Sequence, residues 1–164
     1  MARAGKFPRE LLLAEALGLA ASGGPAAVTM TAVADAAHAP SGSVYHRYKS
    51  RAELLADVWL TSVELFQRDF SAFAESAEDP GEVAAFVVRW ARENRPQATV
   101  LAAHHASEFL TDEVAARRAK QARAVTKGLA ALREPLRSGA PITDALEELV
   151  ATAARAVIDS GRSR

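Results

Sequence analysis

The sequence predicts an all-α protein, with an N-terminal three-helix head carrying a helix-turn-helix and a C-terminal antiparallel helical body. Three observations lead there. Alanine, leucine and charged residues dominate the chain, and these favour helix over strand. Apolar residues recur at helical spacing through most of its length, while strand-like alternation is nearly absent. Proline, glycine and capping residues interrupt these stripes where helices would start and stop.

The first helix starts near Pro8, a residue pre-organised for a first turn, and is expected to end before Gly23-Gly24-Pro25. Leu12, Leu13, Ala16, Leu17 and Ala20 form its apolar stripe. Arg3, Lys6 and Arg9 ahead of Leu11-Leu12-Leu13 resemble the start of a signal peptide, but Glu10 and Glu15 break the apolar run. An amphipathic helix fits better. Thr29 is the expected N-cap of a second helix. That helix must stop before Pro40, which disfavours helical geometry at Ala39. A third runs from about Ser41 to Tyr48.

Ser50-Arg51-Ala52-Glu53 is a capping box, with Ser50 accepting from the Glu53 amide and Glu53 reaching back to Ser50. The fourth helix begins there, and Leu55, Val58 and Trp59, Val63, Phe66, Phe70 and Phe73 trace its apolar line. Asp79-Pro80-Gly81-Glu82 opens the next helix in the same way, with Val83, Phe86, Val87 and Trp90 on one face. Pro96 opens another, expected to end near Leu110. Thr111 then caps a long helix with Val125, Leu129, Leu132 and Leu136 in line. After a breaker at 138–141, Ile142, Leu146, Leu149, Val150, Ala153 and Val157 form the last stripe.

With 164 residues, the chain suits a small head fused to a larger body. The expected domains are 1–60 and 61–164. Twenty basic and twenty acidic residues cancel overall, but their distribution is uneven. Residues 1–51 hold six Lys/Arg against three Asp/Glu, while the remainder holds fourteen against seventeen. A basic head on an acidic body orients the head toward a phosphate backbone. The absence of cysteine excludes disulfides, thiol nucleophiles and cysteine-based zinc sites, and suits a cytoplasmic protein. No stretch approaches the ~20 apolar residues that span a bilayer, so no membrane partner is expected.

The segment 29–48 carries the chemistry. Two short helices joined by a tight turn, the second bearing Ser41, Ser43, Tyr45, His46 and Arg47, form a pattern that places a helix in the DNA major groove. The segment resembles the head of the tetracycline-repressor (TetR/AcrR) family of bacterial regulators. The residues that carry the resemblance are Thr29, Val33, Ala34, Gly42-Ser43-Val44-Tyr45-His46, Tyr48, Ser50-Arg51 and Leu54, in order and without gaps. With the first helix it covers roughly residues 8–60.

The resemblance implies that Ser41, Gly42 and Ser43 lie at the start of the recognition helix, facing phosphates and base edges. Gly42 would let the backbone approach DNA closely. Tyr45 would give its hydroxyl to a phosphate, with its ring against the first helix, while Tyr48 reads as core. His46 lies beside Arg47, which is the candidate for bidentate reading of a guanine or for a phosphate clamp. Thr29 and Thr31, with Lys49 and Arg51, would hold the flanking backbone. Two departures stand out. His38 occupies the place of a glycine that closes the second helix in a left-handed conformation, and Pro40 replaces a capping serine.

The resemblance further implies a body that binds a small-molecule effector and dimerises through its last two helices. The stripes at 112–137 and 142–159 suit such a hairpin. Trp59, Phe66, Phe70, Phe86, Trp90, His104 and His105 are candidate pocket residues, although aromatics at helical spacing more often form plain core. Trp59 would sit near the junction with the head. His104 and His105 with Glu108 offer two ligands on one helix for a metal, but nothing in the sequence supplies a third, so neither metal nor cofactor is expected. The expected protein is a homodimeric repressor on a near-palindromic operator of double-stranded DNA, released by its effector. The alternatives are a ligand-independent dimeric DNA-binding protein, a metal-binding protein or a small helical enzyme. The chain has no phosphate loop, G-x-S-x-G elbow or H-E-x-x-H motif, which weighs against the enzyme.

Overall fold

A computed structural model describes residues 7–74, 76–77, 79–110, 133–144 and 147–148. These residues are helical with short connections, and no strand occurs among them. The head consists of α1 (Arg9–Ala27), α2 (Met30–Ala36) and α3 (Ser41–Arg47). The body begins within α4 (Arg51–Ala74) and continues through α5 (Pro80–Glu93), α6 (Arg95–Ala103), α7 (Ala106–Phe109) and α8 (Arg133–Ser138). Beyond α8, helix resumes at Asp144.

The break expected at Gly23-Gly24-Pro25 is present as a kink. Gly24 adopts φ 71°, ψ −178° within α1, and Pro25 opens a last short turn that carries the helix to Ala27. A positive φ is open to glycine at little cost, which explains the residue there. Thr29 caps α2 as its sequence suggests, accepting from the Ala32 amide at 3.0 Å. His38 has φ 49° and closes the turn after α2 in the left-handed region, where glycine is the usual occupant. Pro40 precedes α3 without a side-chain cap, and its carbonyl takes the Ser43 amide at 2.8 Å instead.

Four expected boundaries need correction. Glu53 does not complete the capping box on Ser50. It accepts from the Lys49 amide at 2.7 Å, while Ser50 Oγ accepts from the Glu53 amide at 3.2 Å. Asp79 caps α5 through the Gly81 amide rather than through Glu82. The helix expected to run from Pro96 to Leu110 stops at Ala103. His104 is extended there, and a new capping box starts α7, in which Glu108 accepts from the His105 amide at 2.6 Å. Ile142 lies in the connection after α8, buried, rather than in the last helix. The helix from Thr111 and most of the 112–137 and 142–159 hairpin lie outside the described residues.

One apolar core runs from head to body. Leu12, Ala16 and Ala20 of α1 meet Val33 and Ala34 of α2, Val44 of α3, and Leu54, Leu55 and Val58 of α4. It continues through Trp59, Val63 and Phe66 to Val88 and Trp90 of α5, and to Val100 and Leu101 of α6. α1 packs on α2, α4 and α6, so it is shared between the helix-turn-helix segment and the helices that follow. That double contact ties the position of the head to the body.

Candidate nucleic-acid interface

The recognition segment is built by burying very little of itself. Within α3, Val44 is the buried residue, and Tyr48 at its C-terminal end is buried beside it. At about 100° of rotation per residue, Gly42 and His46 project opposite Val44, Tyr45 and Ser43 occupy the two flanks, and Arg47 lies on the side nearer Val44. Tyr45 is 59% exposed, a large aromatic ring held in water. Ser41, Gly42, His46 and Arg47 are exposed as well.

Gly42 is informative for what does not surround it. A Cβ built at this position meets no atom within 4 Å. Glycine inside a helix costs about 0.5–1 kcal/mol relative to alanine. Nothing among the described residues requires glycine at this position.

The flanking residues divide into two groups. Thr29 and Thr31 are exposed at the start of α2, and Lys49 is exposed ahead of α4. Arg51 is committed inward: its Nε donates to the Val28 carbonyl at 2.6 Å and its Nη2 to the Pro25 carbonyl at 2.5 Å. It therefore clamps the α1–α2 connection to the start of α4. The charge-assisted bonds are the stronger kind, and they fix where Thr29 and Thr31 stand relative to α3.

Behind the exposed face is a group that the motif does not announce. Tyr48 gives its hydroxyl to Asp57 Oδ2 at 2.7 Å, and Arg9 forms an ion pair with Asp57 Oδ1. One carboxylate on α4 thus holds both the end of the recognition helix and the start of α1. Burial, together with this bond to a carboxylate, raises the Tyr48 pKa well above the ordinary tyrosine range. The sequence signal for this triad is weak, since Arg9, Tyr48 and Asp57 are far apart in the chain and none belongs to a repeated pattern.

The candidate effector residues occupy the body core. Phe66 contacts Trp90 edge-on at 4.8 Å between centroids, and Phe70 and Phe86 pack against it at 5.7 and 6.3 Å. Trp59 packs on Phe109 at 5.3 Å. His104 touches the edge of Phe109 and comes close to Gly24, where a built Cβ would lie 3.1 Å from the ring. His105 is exposed, and Glu108 serves the α7 capping box, so His104, His105 and Glu108 work as a local helix start.

The fold and this head define a helix-turn-helix DNA-binding regulator. Residues 12–58 match the family model of bacterial regulatory proteins of the tetR family. The head of the chain is thus similar to that family's DNA-binding region over residues 12–58. No curated protein matches its sequence. Solved structures share the fold, among them the following two. One is the multidrug binding protein EbrR complexed with imidazole, 21% identical over 89% of this chain and 93% of that one, with a TM-score of 0.58. The other is a putative fatty acid metabolism regulator of Clostridium perfringens, 15% identical over 92% and 83% of the two chains, with a TM-score of 0.53.

Proposed function

We propose that the protein is a ligand-responsive repressor that binds a near-palindromic operator as a homodimer in the cytoplasm. The observation that carries the DNA half is the exposed face of α3. Gly42, Tyr45 and His46 point away from the core, and Arg47, exposed on the side nearer Val44, has no ion pair among the described residues. In this reading Ser41, Ser43, Tyr45, Thr29, Thr31 and Lys49 hold phosphates, while His46 and Arg47 reach base edges. Arg51 acts mainly as a clamp, with its remaining N–H groups turned to the backbone of the duplex.

The ligand half is supported by Trp59. Its Nε1 is buried without a hydrogen-bond partner among the described residues, an arrangement that costs roughly 1–3 kcal/mol. A ligand acceptor in the body would satisfy it. EbrR, which shares the fold, is described as a multidrug binding protein in complex with imidazole. The effector acts by its different affinity for two head spacings, with α1 and α4 linking body to head. Dimerisation uses the last two helices.

The test is the mass of the complex with a duplex that the protein selects. Two chains per duplex, with protection over two successive major grooves, fit the proposal. One chain per duplex over a single groove contradicts it.

A further inference from the structure

A cavity of about 300 Å³ lies where α1 of the head crosses α4 and α6 of the body. Its volume falls at the lower end of small-molecule sites, which run from roughly 300 to 1,000 Å³. Leu13 and Leu17, one turn apart on α1, and Val58 and Leu65 of α4 supply its apolar walls. None of the aromatic body residues considered above lines it. Arg9, Glu10 and Gln97 reach its rim.

The charges on that rim are unequal. Arg9 is neutralised by Asp57, the carboxylate that also receives the Tyr48 hydroxyl. Glu10 forms no contact ion pair among the described residues, but it lies close enough to Arg9 to attract it, so Arg9 faces two carboxylates, Asp57 and Glu10. The buried Ser62 hydroxyl is already given to the Val58 carbonyl at 2.7 Å, so it offers no donor to a guest. What remains is an apolar slot whose mouth, with Arg9 against Asp57 and Glu10, carries one excess negative charge.

We propose that this cavity is a binding site for a small organic cation with an apolar body. The apolar part lies between Leu17 and Leu65, and the positive group pairs with Glu10. Because α1 and α4 both contribute walls, an occupant fixes the spacing between head and body. Arg9 and Asp57 carry that spacing to Tyr48 at the end of the recognition helix. The proposal stands apart from the effector reading of the body, since it uses none of the same residues.

Calorimetric titration of the full chain with three molecules of one shape tests it: phenethylammonium, phenethyl alcohol and phenylacetate. The cation is expected to bind at millimolar concentration or below. The alcohol should be weaker by about two- to fivefold, the range of an exposed ion pair, and phenylacetate weaker again. Glu10→Gln should bring the cation down to the affinity of the alcohol. Ala14→Trp, at an exposed lining position, should fill the slot and abolish binding of all three with the helical circular dichroism intact. Thr61→Trp, exposed on the opposite wall, should do the same and replaces Ala14→Trp if that variant misfolds. Absence of cation binding overturns the proposal. So does binding that survives the cavity-filling variants, or phenylacetate binding as tightly as the cation.

Discussion

The Tyr48 hydroxyl donates to Asp57 Oδ2 at 2.7 Å, joining the residue that ends the recognition helix to the second turn of α4. The bond is half-buried and shares its acceptor carboxylate with Arg9 of α1. Three elements therefore meet at one side chain, and the orientation of α3 depends on a group in α4. A movement of α4 in the body has a direct route to the DNA-reading face.

Tyr48→Phe should remove this bond while leaving the ring in its buried place. The expected loss is about 1–2 kcal/mol of stability, from the lost hydrogen bond and a carboxylate left with fewer partners. Urea unfolding of the two proteins measures it.

The same residue sets an alkaline limit. Its folded pKa is raised by burial first and by the bond to Asp57 second, so the folded state holds the proton more tightly than the unfolded chain. The stability contributed is complete below the ordinary tyrosine value of about 10 and is lost as pH rises above it toward the folded pKa. Unfolding curves recorded across that window should fall more steeply for the native chain than for Tyr48→Phe.

Gly42→Ala should separate folding from function. Nothing in the chain meets the new methyl, so stability should hold or rise by about 0.5–1 kcal/mol. Affinity for operator DNA should drop, because the methyl stands on the outward face of α3. A thermal melt and a binding titration on the same preparation check both parts.

Arg47 and Arg51 should behave in opposite ways. Arg47→Ala should leave unfolding unchanged and weaken DNA binding, either by relaxing preference at one base pair or by lowering the salt slope by about one ion. Arg51→Ala should cost roughly 1.5–3 kcal/mol of stability, since it removes charge-assisted bonds to the Val28 and Pro25 carbonyls. Paired denaturation and binding measurements distinguish them.

Gly24→Ala should destabilise the chain by about 1–3 kcal/mol, the penalty for an L-residue at φ 71°, ψ −178°, a conformation essentially confined to glycine. The added Cβ would also lie 3.1 Å from the His104 ring. Differential scanning calorimetry measures the loss.

Local signals made much of the head legible in the sequence. Thr29 caps because a hydroxyl at that place can reach the Ala32 amide, and Pro40 must lie outside a helix interior for covalent reasons. Val44 and Tyr48 are four residues apart, so their burial follows from helical periodicity once α3 is recognised. What escaped depends on distance along the chain. Arg51 reads as a phosphate-facing cation until the Val28 and Pro25 carbonyls are brought beside it. Asp57 carries no local signal in the sequence, and its role follows only from α1 and α3 converging on it. The stop at His104 is not legible because no proline or glycine marks it between Gln97 and Leu110, and the cap formed by His105 and Glu108 has no strong composition signature.

The most direct test of the central claim is selection of duplex DNA from a random pool by the purified protein at two salt concentrations. A specific recognition helix predicts enrichment of a two-fold-related motif, with half-sites about one helical turn apart, that persists at the higher salt. Binding that enriches no motif and vanishes with salt would mean that the basic head grips phosphates alone. That result would contradict a sequence-specific regulator.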